Sequence, residues 1–249
     1  MLKHGSLRLV LTGWILLAAF QGARAWADSA TVPAQPLLDQ AIEQYLRLHP
    51  EVIEQALKSL EMKRQEDQKM RITQAIKEHR NELLHDSDSP VSGNASGDVT
   101  VIEFFDYRCG YCKRVAGSVT QLQQDDSGVR VVYKDFPILG DLSVFAARAA
   151  LAAQAQGKHQ LFHEALLASE HDLTTAEVLS IAERVGIDRK RLEADMHLPQ
   201  WDDLIERNRA LADVLSISGT PGFIVGGEFH PGALGLEGLK RLVARARGK

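Results

Sequence analysis

Cysteine is the scarcest residue in this chain, with two among 249 residues, both inside one four-residue segment. That count excludes a disulfide-knit scaffold and a structural zinc centre made from two cysteine pairs. Long apolar runs are missing past residue 20, so no later segment reads as a membrane-spanning helix. Basic clusters are missing too. With a formal net charge of -4, the sequence gives no support for nucleic-acid binding.

What is present begins with a targeting signal. Lys3, His4 and Arg8 form a basic start, residues 9–20 are apolar, and Ala23-Arg-Ala-Trp-Ala27 offers small residues for cleavage. Residues 1–27 therefore read as a secretory signal peptide. The alternative is an uncleaved anchor, for which the apolar stretch is short. Export places the remaining chain in an oxidising compartment, read here as the bacterial periplasm.

Residues 28–84 read as a helical arm. Leu38, Ala41, Ile42, Tyr45 and Leu46 share one face, His49-Pro50 interrupts it, and Val52, Ile53, Ala56, Leu57 and Leu60 resume the spacing. Residues 63–69 are wholly polar and fit either a solvated helix or a joint. So few residues cannot enclose a core. The apolar stripe must dock on the main domain or pair with copies of itself. Residues 85–98, rich in Asp, Ser, Gly and Asn, read as a linker and favour self-association into a homo-oligomer.

Residues 99–249 read as one α/β domain. A β-branched and aromatic strand (99–105) leads into an amphipathic helix (about 110–124) and a second strand (129–134). An Ala-rich helical block follows, broken at Gly157, with a capping box at Thr174-x-x-Glu177 and a stop at Gly186. A helix over 201–217 then leads to a turn, a hairpin through Gly226-Gly227 and a final helix over 236–246.

Cys109-Gly110-Tyr111-Cys112 falls where the first strand turns into its helix. Two thiols three residues apart at a helix start lie about one turn apart on one face, a separation that suits a disulfide. The free N–H groups and dipole of the helix stabilise a thiolate on Cys109. A bridge this short closes almost no loop and adds little stability by chain entropy. Thiol–disulfide exchange is the chemistry these facts indicate, with Cys109 as nucleophile, its sulfur toward solvent, and Cys112 resolving the mixed disulfide. Glu103, six residues before Cys109, is a carboxylate in a core strand, which is costly unless paired or protonated. Lys134 on the next strand is a possible ion partner, and an edge-exposed Glu103 is the plain alternative. His159 and His163, four apart, read as structural. Two thiolates also suit soft Cu(I), so Cys109 and Cys112 are possible copper ligands.

These residues carry a resemblance. The strand–Cys-x-x-Cys–helix unit, the helical insertion (about 141–198) and Thr220-Pro221 before a late strand look like the DsbA-type thioredoxin-fold proteins. Phe104-Phe-Asp-Tyr-Arg-Cys-Gly-Tyr-Cys-Lys-Arg114 and Val131-Val-Tyr-Lys-Asp-Phe-Pro137 are similar to a subset of them. The arm segment Ile42-Glu-Gln-Tyr-Leu-Arg-Leu-His-Pro-Glu-Val-Ile53 resembles the suppressor-of-copper-sensitivity protein C (ScsC) group. The resemblance implies a thioredoxin fold with a helical insertion, a cis peptide before Pro221, substrate contact through the Thr220 backbone, and proton transfer by Glu103. It implies no cofactor beyond the redox-active Cys109–Cys112 pair. It implies a periplasmic disulfide isomerase or reductase, acting on misfolded or disulfide-containing secreted proteins. Its arm would build a homo-oligomer, a trimer favoured, and a membrane redox partner of the DsbD/ScsB type would keep it reduced. Tyr111 stands where strongly oxidising relatives place His, which leaves the thiolate less stabilised and the couple less oxidising. A monomeric dithiol oxidase and a Cu(I)-binding copper-tolerance protein are the competing readings.

Overall fold

The computed structural model describes residues 35–248. The expected signal peptide lies outside the described residues. The chain divides into two units, Met1–Glu61 and Met62–Lys249.

In the first unit, helix α1 (Gln35–Leu48) ends before His49 and Pro50 opens helix α2 (Pro50–Glu78), whose residues from Met62 onward belong to the second unit. Pro suits that first helical position because its missing N–H has no intrahelical partner there anyway. Leu38, Ile42, Tyr45, Ile53 and Leu57 are all exposed. The polar residues 63–69 do not interrupt α2, which decides between the solvated helix and the joint.

The second unit continues through α3 (Arg80–Leu84), β1 (Val91–Gly93), β2 (Val99–Phe105), α4 (Gly110–Asp125) and β3 (Val129–Asp135). Next comes the helical block of α5 (Asp141–Ala152), α6 (His159–Ala168), α7 (Thr175–Arg184) and α8 (Arg189–Asp195). Thr174 caps α7 by accepting from the Glu177 N–H at 3.2 Å. The chain closes with α9 (Pro199–Val214), β4 (Gly222–Val225), β5 (Glu228–Pro231) and α10 (Leu236–Arg247). Gly226 and Gly227, with φ of +59° and +81°, make the hairpin turn between β4 and β5.

The five strands form one sheet in the order β1-β3-β2-β4-β5. Only β2 and β3 run parallel, with Glu103 beside Tyr133 and Phe104 beside Lys134. Alternation along these strands sends side chains into two cores. Val101, Phe105, Val131 and Tyr133 pack with α4, α10 and the helical block. Ile102, Phe104, Val132 and Ile224 pack with Leu211 and Ala212 of α9, with Leu215 just past its end, and with Ile76 and Leu83.

Two boundaries expected from the sequence are corrected here. The arm does not extend to residue 84, because Ile76 and Leu83 belong to the second core. Nor are residues 85–98 a free linker. Val91–Gly93 pair antiparallel with β3, and the Pro90 carbonyl accepts from the Tyr133 N–H at 2.9 Å. The polar residues that suggested a linker are fasteners. The Ser92 hydroxyl hydrogen-bonds that of Tyr133 at 2.9 Å. Ser89 accepts from the buried Lys134 ammonium at 2.8 Å. Polar composition signals solvent only when the groups lack partners inside the fold.

Candidate active site

The site grows out of the loop between β2 and α4. The Cys109 N–H donates to the Asp106 carbonyl at 3.0 Å, and the Cys109 carbonyl accepts the first helical bond, from the Lys113 N–H, also at 3.0 Å. Cys109 is thus the N-cap of α4, with extended backbone dihedrals, and Cys112 sits one turn inside. Both are free thiols.

Cys109 does not face open solvent, as the sequence suggested. It is 7% exposed, and its thiol donates to the Thr220 carbonyl at 3.3 Å. The reason is the loop before β4, whose Thr220–Pro221 peptide is cis and lies across the end of α4. Cys112 is fully buried. Burial pushes its thiol far above the usual range, and the nearby charge of Glu103 pushes the same way. Hydrogen bonding from the Asp106 backbone opposes both. Beside the pair, Tyr111 is exposed and carries the Arg114 guanidinium 4.1 Å above its ring.

Glu103 is buried at 2% exposure on the thiol side of the sheet. Its Oε1 has no hydrogen-bond partner, and burial raises its carboxyl to about 8. The edge-exposed alternative is therefore excluded. Lys134 is not its partner. Phe104 is the β2 neighbour of Lys134, so Lys134 points to the opposite face. There it donates to the Glu82 carbonyl at 2.7 Å, to Ser89 and to Asp86 at 3.3 Å. Glu103 instead lines a cavity of about 360 Å³ together with Tyr133, His163 and Glu164, which connects the buried acid to polar side chains of α4. His163 hydrogen-bonds Tyr107 at 3.0 Å. Burial lowers both His163 and His159, the latter to about 4, so both are neutral.

Two buried acids escaped the sequence reading. Asp135 ends β3 with both carboxyl oxygens unpartnered, and burial raises it to about 8. Asp106, three residues before Cys109, accepts hydrogen bonds from backbone N–H groups of two loops. A signal for Asp106 was available, because Asp two residues ahead of a turn commonly bonds the backbone. No sequence signal marks Asp135.

The geometry is that of a redox dithiol whose second sulfur is shielded and backed by a neutral acid. The family model of the DSBA-like thioredoxin domain matches residues 100–244. The chain belongs to that family. Among solved structures, a thioredoxin-like oxidoreductase from Silicibacter pomeroyi DSS-3 is 45% identical to this DSBA-like chain. It covers 68% of this chain and 98% of its own, with a TM-score of 0.67. Salmonella enterica Typhimurium BcfH aligns over 86% of this chain and 96% of its own at 28% identity and a TM-score of 0.74. Proteus mirabilis ScsC in a transitional conformation covers 86% and 96% at 22% identity and a TM-score of 0.65, which is a likeness of fold. The Na(+)/H(+) antiporter NhaA 3 of Salinispora tropica is 35% identical over 159 residues. That match covers 63% of this chain, and the chain spans about a quarter of such curated relatives. Among the described residues, no helix is long and apolar enough to cross a membrane.

Proposed function

We propose that this DSBA-like protein catalyses thiol–disulfide exchange on secreted proteins in the periplasm, chiefly as a disulfide isomerase or reductase. The observation that carries the reading is the asymmetry of the pair. Cys109 caps a helix against the cis Thr220–Pro221 peptide, while Cys112 is enclosed and close to Glu103.

The chemistry follows from that asymmetry. The Cys109 thiolate attacks a substrate disulfide. A Cys109–substrate bond forms, the substrate S–S bond breaks, and one substrate thiolate leaves. In isomerisation a second substrate thiolate then attacks the substrate sulfur of the mixed disulfide; a new substrate S–S bond forms, the Cys109–substrate bond breaks, and the Cys109 thiolate leaves. A reductase completes the cycle through Cys112, whose sulfur attacks Cys109 and expels the second substrate thiolate. Two electrons pass from the cysteine pair to the substrate. Glu103 first releases its own proton through the cavity that it lines, and the carboxylate so formed, made more basic by its burial, takes the Cys112 proton. Thr220, adjacent to the cysteine it hydrogen-bonds, offers its backbone to an extended substrate in the manner of an added strand.

The exposed apolar residues of α1 and of the early turns of α2 support an oligomer built through the arm, a trimer favoured. Several active sites in one assembly raise the effective concentration of thiols around a misfolded chain. A membrane protein of the DsbD/ScsB type is the partner proposed to keep the pair reduced.

The test sets two substrates side by side. With scrambled ribonuclease and a glutathione buffer, reactivation is expected to outpace the oxidation of reduced ribonuclease. Rapid oxidation of reduced ribonuclease with no reactivation of the scrambled form overturns the isomerase reading in favour of a dithiol oxidase.

A further inference from the structure

The rim around the cysteine pair is basic in a chain whose formal net charge is -4. Arg108 precedes Cys109, and Lys113 and Arg114 follow Cys112. Helix α4 has no acid in its first turn. Cations near a helix N-terminus oppose its dipole, so this placement disfavours α4. A local rule broken without structural compensation points to function.

The structure separates the three cations. Lys113 is occupied, because its ammonium donates to the Ser169 carbonyl at 2.8 Å. The two arginines are held in place without being neutralised. The Arg114 guanidinium lies 4.1 Å from the centre of the Tyr111 ring, three residues nearer the start of the helix, and Tyr111 is 59% exposed. A guanidinium on an aromatic face keeps its charge and its hydrogen-bond donors. The Arg108 guanidinium donates to the Leu139 carbonyl at 3.0 Å. That carbonyl belongs to a loop fastened beside the cysteines, since the Ile138 and Leu139 N–H groups donate to the Asp106 carboxylate at 2.9 and 3.0 Å. Among the described residues, neither arginine forms an ion pair. Asp106, two residues before Arg108, is 1% exposed, and its oxygens are taken up by backbone N–H groups.

We propose that Arg108 and Arg114 make the exchange site selective for disulfides flanked by carboxylates, as in a cysteine set between Asp or Glu residues of a substrate chain. The inference rests on the exchange reading and gives it a substrate class. Two fixed positive charges, one before and one after the pair, attract such a segment as it approaches and hold its carboxylates while the sulfurs react. The step is the first exchange: the Cys109–substrate bond forms, the substrate S–S bond breaks, and one substrate thiolate leaves with the bonding electrons. A segment flanked by Lys meets like charge at the same two points and is disfavoured.

Three peptides serve as probes, alike except that their single cysteine is flanked by Glu, Gln or Lys, each used as its symmetric disulfide. Reduced protein is mixed with an excess of one peptide and quenched with acid at intervals, and loss of the reduced form is followed by intact mass. Each rate is divided by that of β-mercaptoethanol with the same peptide, which removes intrinsic differences in reactivity. At low ionic strength the Glu peptide is expected to react about tenfold faster than the Lys peptide, with the Gln peptide between them. Arg108→Gln and Arg114→Gln are each expected to lower that ratio about threefold, and Arg114→Lys to keep it within about twofold of the unsubstituted protein. In about 0.5 M salt the ratio is expected to shrink to about threefold or less.

Equal rates for the three peptides overturn the inference, as does a ratio that survives both Arg→Gln substitutions. Equal slowing of all three peptides in a variant overturns it too, because the arginine then acts only on the Cys109 thiolate. Should a variant not fold, the salt dependence of the unsubstituted protein decides, and a ratio that persists in high salt overturns the inference. Unsubstituted protein that reacts with none of the peptides refutes the exchange reading and this inference with it, whereas ready reaction without charge preference refutes this inference alone.

Discussion

Replacing Glu103 by Gln should change how the protein's stability depends on pH, and the size of the change follows from the burial. In the folded protein Glu103 and Asp135 hold their protons up to about pH 8, because burial disfavours their charged forms. The unfolded chain releases the same protons in the ordinary carboxylate range. Between those limits the folded state binds more protons than the unfolded one, so stability falls as pH rises. Each group contributes a slope of about 1.4 kcal/mol per pH unit. His159 and His163 act in the opposite sense, since burial keeps them neutral while the unfolded chain protonates them, but their effect lies mainly below pH 6.5. Between pH 6.5 and 7.5 the two acids are thus the main contributors, and together they set a fall of about 3 kcal/mol per unit. Glu103→Gln removes one of them without adding volume, leaving about 1.4 kcal/mol per unit. Urea unfolding at pH 6.5, 7.0 and 7.5 and fixed ionic strength measures both slopes. Parallel lines for the two proteins would mean that Glu103 is ionised in the folded state, and the neutral-acid argument would be wrong. The same variant should resolve mixed disulfides more slowly through Cys112, which quenched-flow mass analysis detects.

Other consequences are open to simple assays. Tyr111→His adds a positive group beside Cys109 and should raise the reduction potential by roughly 30–60 mV, read from the equilibrium with glutathione. Lys134→Ala strips the fully buried ammonium from Asp86, Ser89 and the Glu82 carbonyl. It should cost about 3 kcal/mol in urea unfolding while leaving the thiol chemistry intact. Ile53→Asp together with Leu57→Asp places charge on the exposed arm stripe, and light scattering should then report a monomer.

The strands, the Cys-x-x-Cys turn and most helix limits were legible because their signals are local. Alternating apolar residues mark β2 and β3, and the Thr174 cap forms the bond that its spacing predicts. Segment 85–98 was misread because its polar residues are satisfied by distant ones. Ser92 finds Tyr133, and Ser89 finds Lys134, across more than forty residues of chain. The pairing of Glu103 with Lys134 failed for a different reason. Both lie on neighbouring strands, but the parallel register sets Glu103 beside Tyr133 and sends Lys134 to the far side. Composition carries no information about that register. Asp135 gave no warning at all, since an acid at a strand end is ordinarily solvated.

That register has a practical outcome. The β-sheet works as a partition between two buried ionisable groups, an acid in the redox compartment and a base in the compartment that anchors the segment before β1. Substitutions on either side should combine additively, so durability and reactivity can be tuned separately. A slip of β3 by a single residue would exchange Tyr133 for Lys134, deliver an ammonium to Glu103, and remove the raised proton affinity with which the acid serves Cys112.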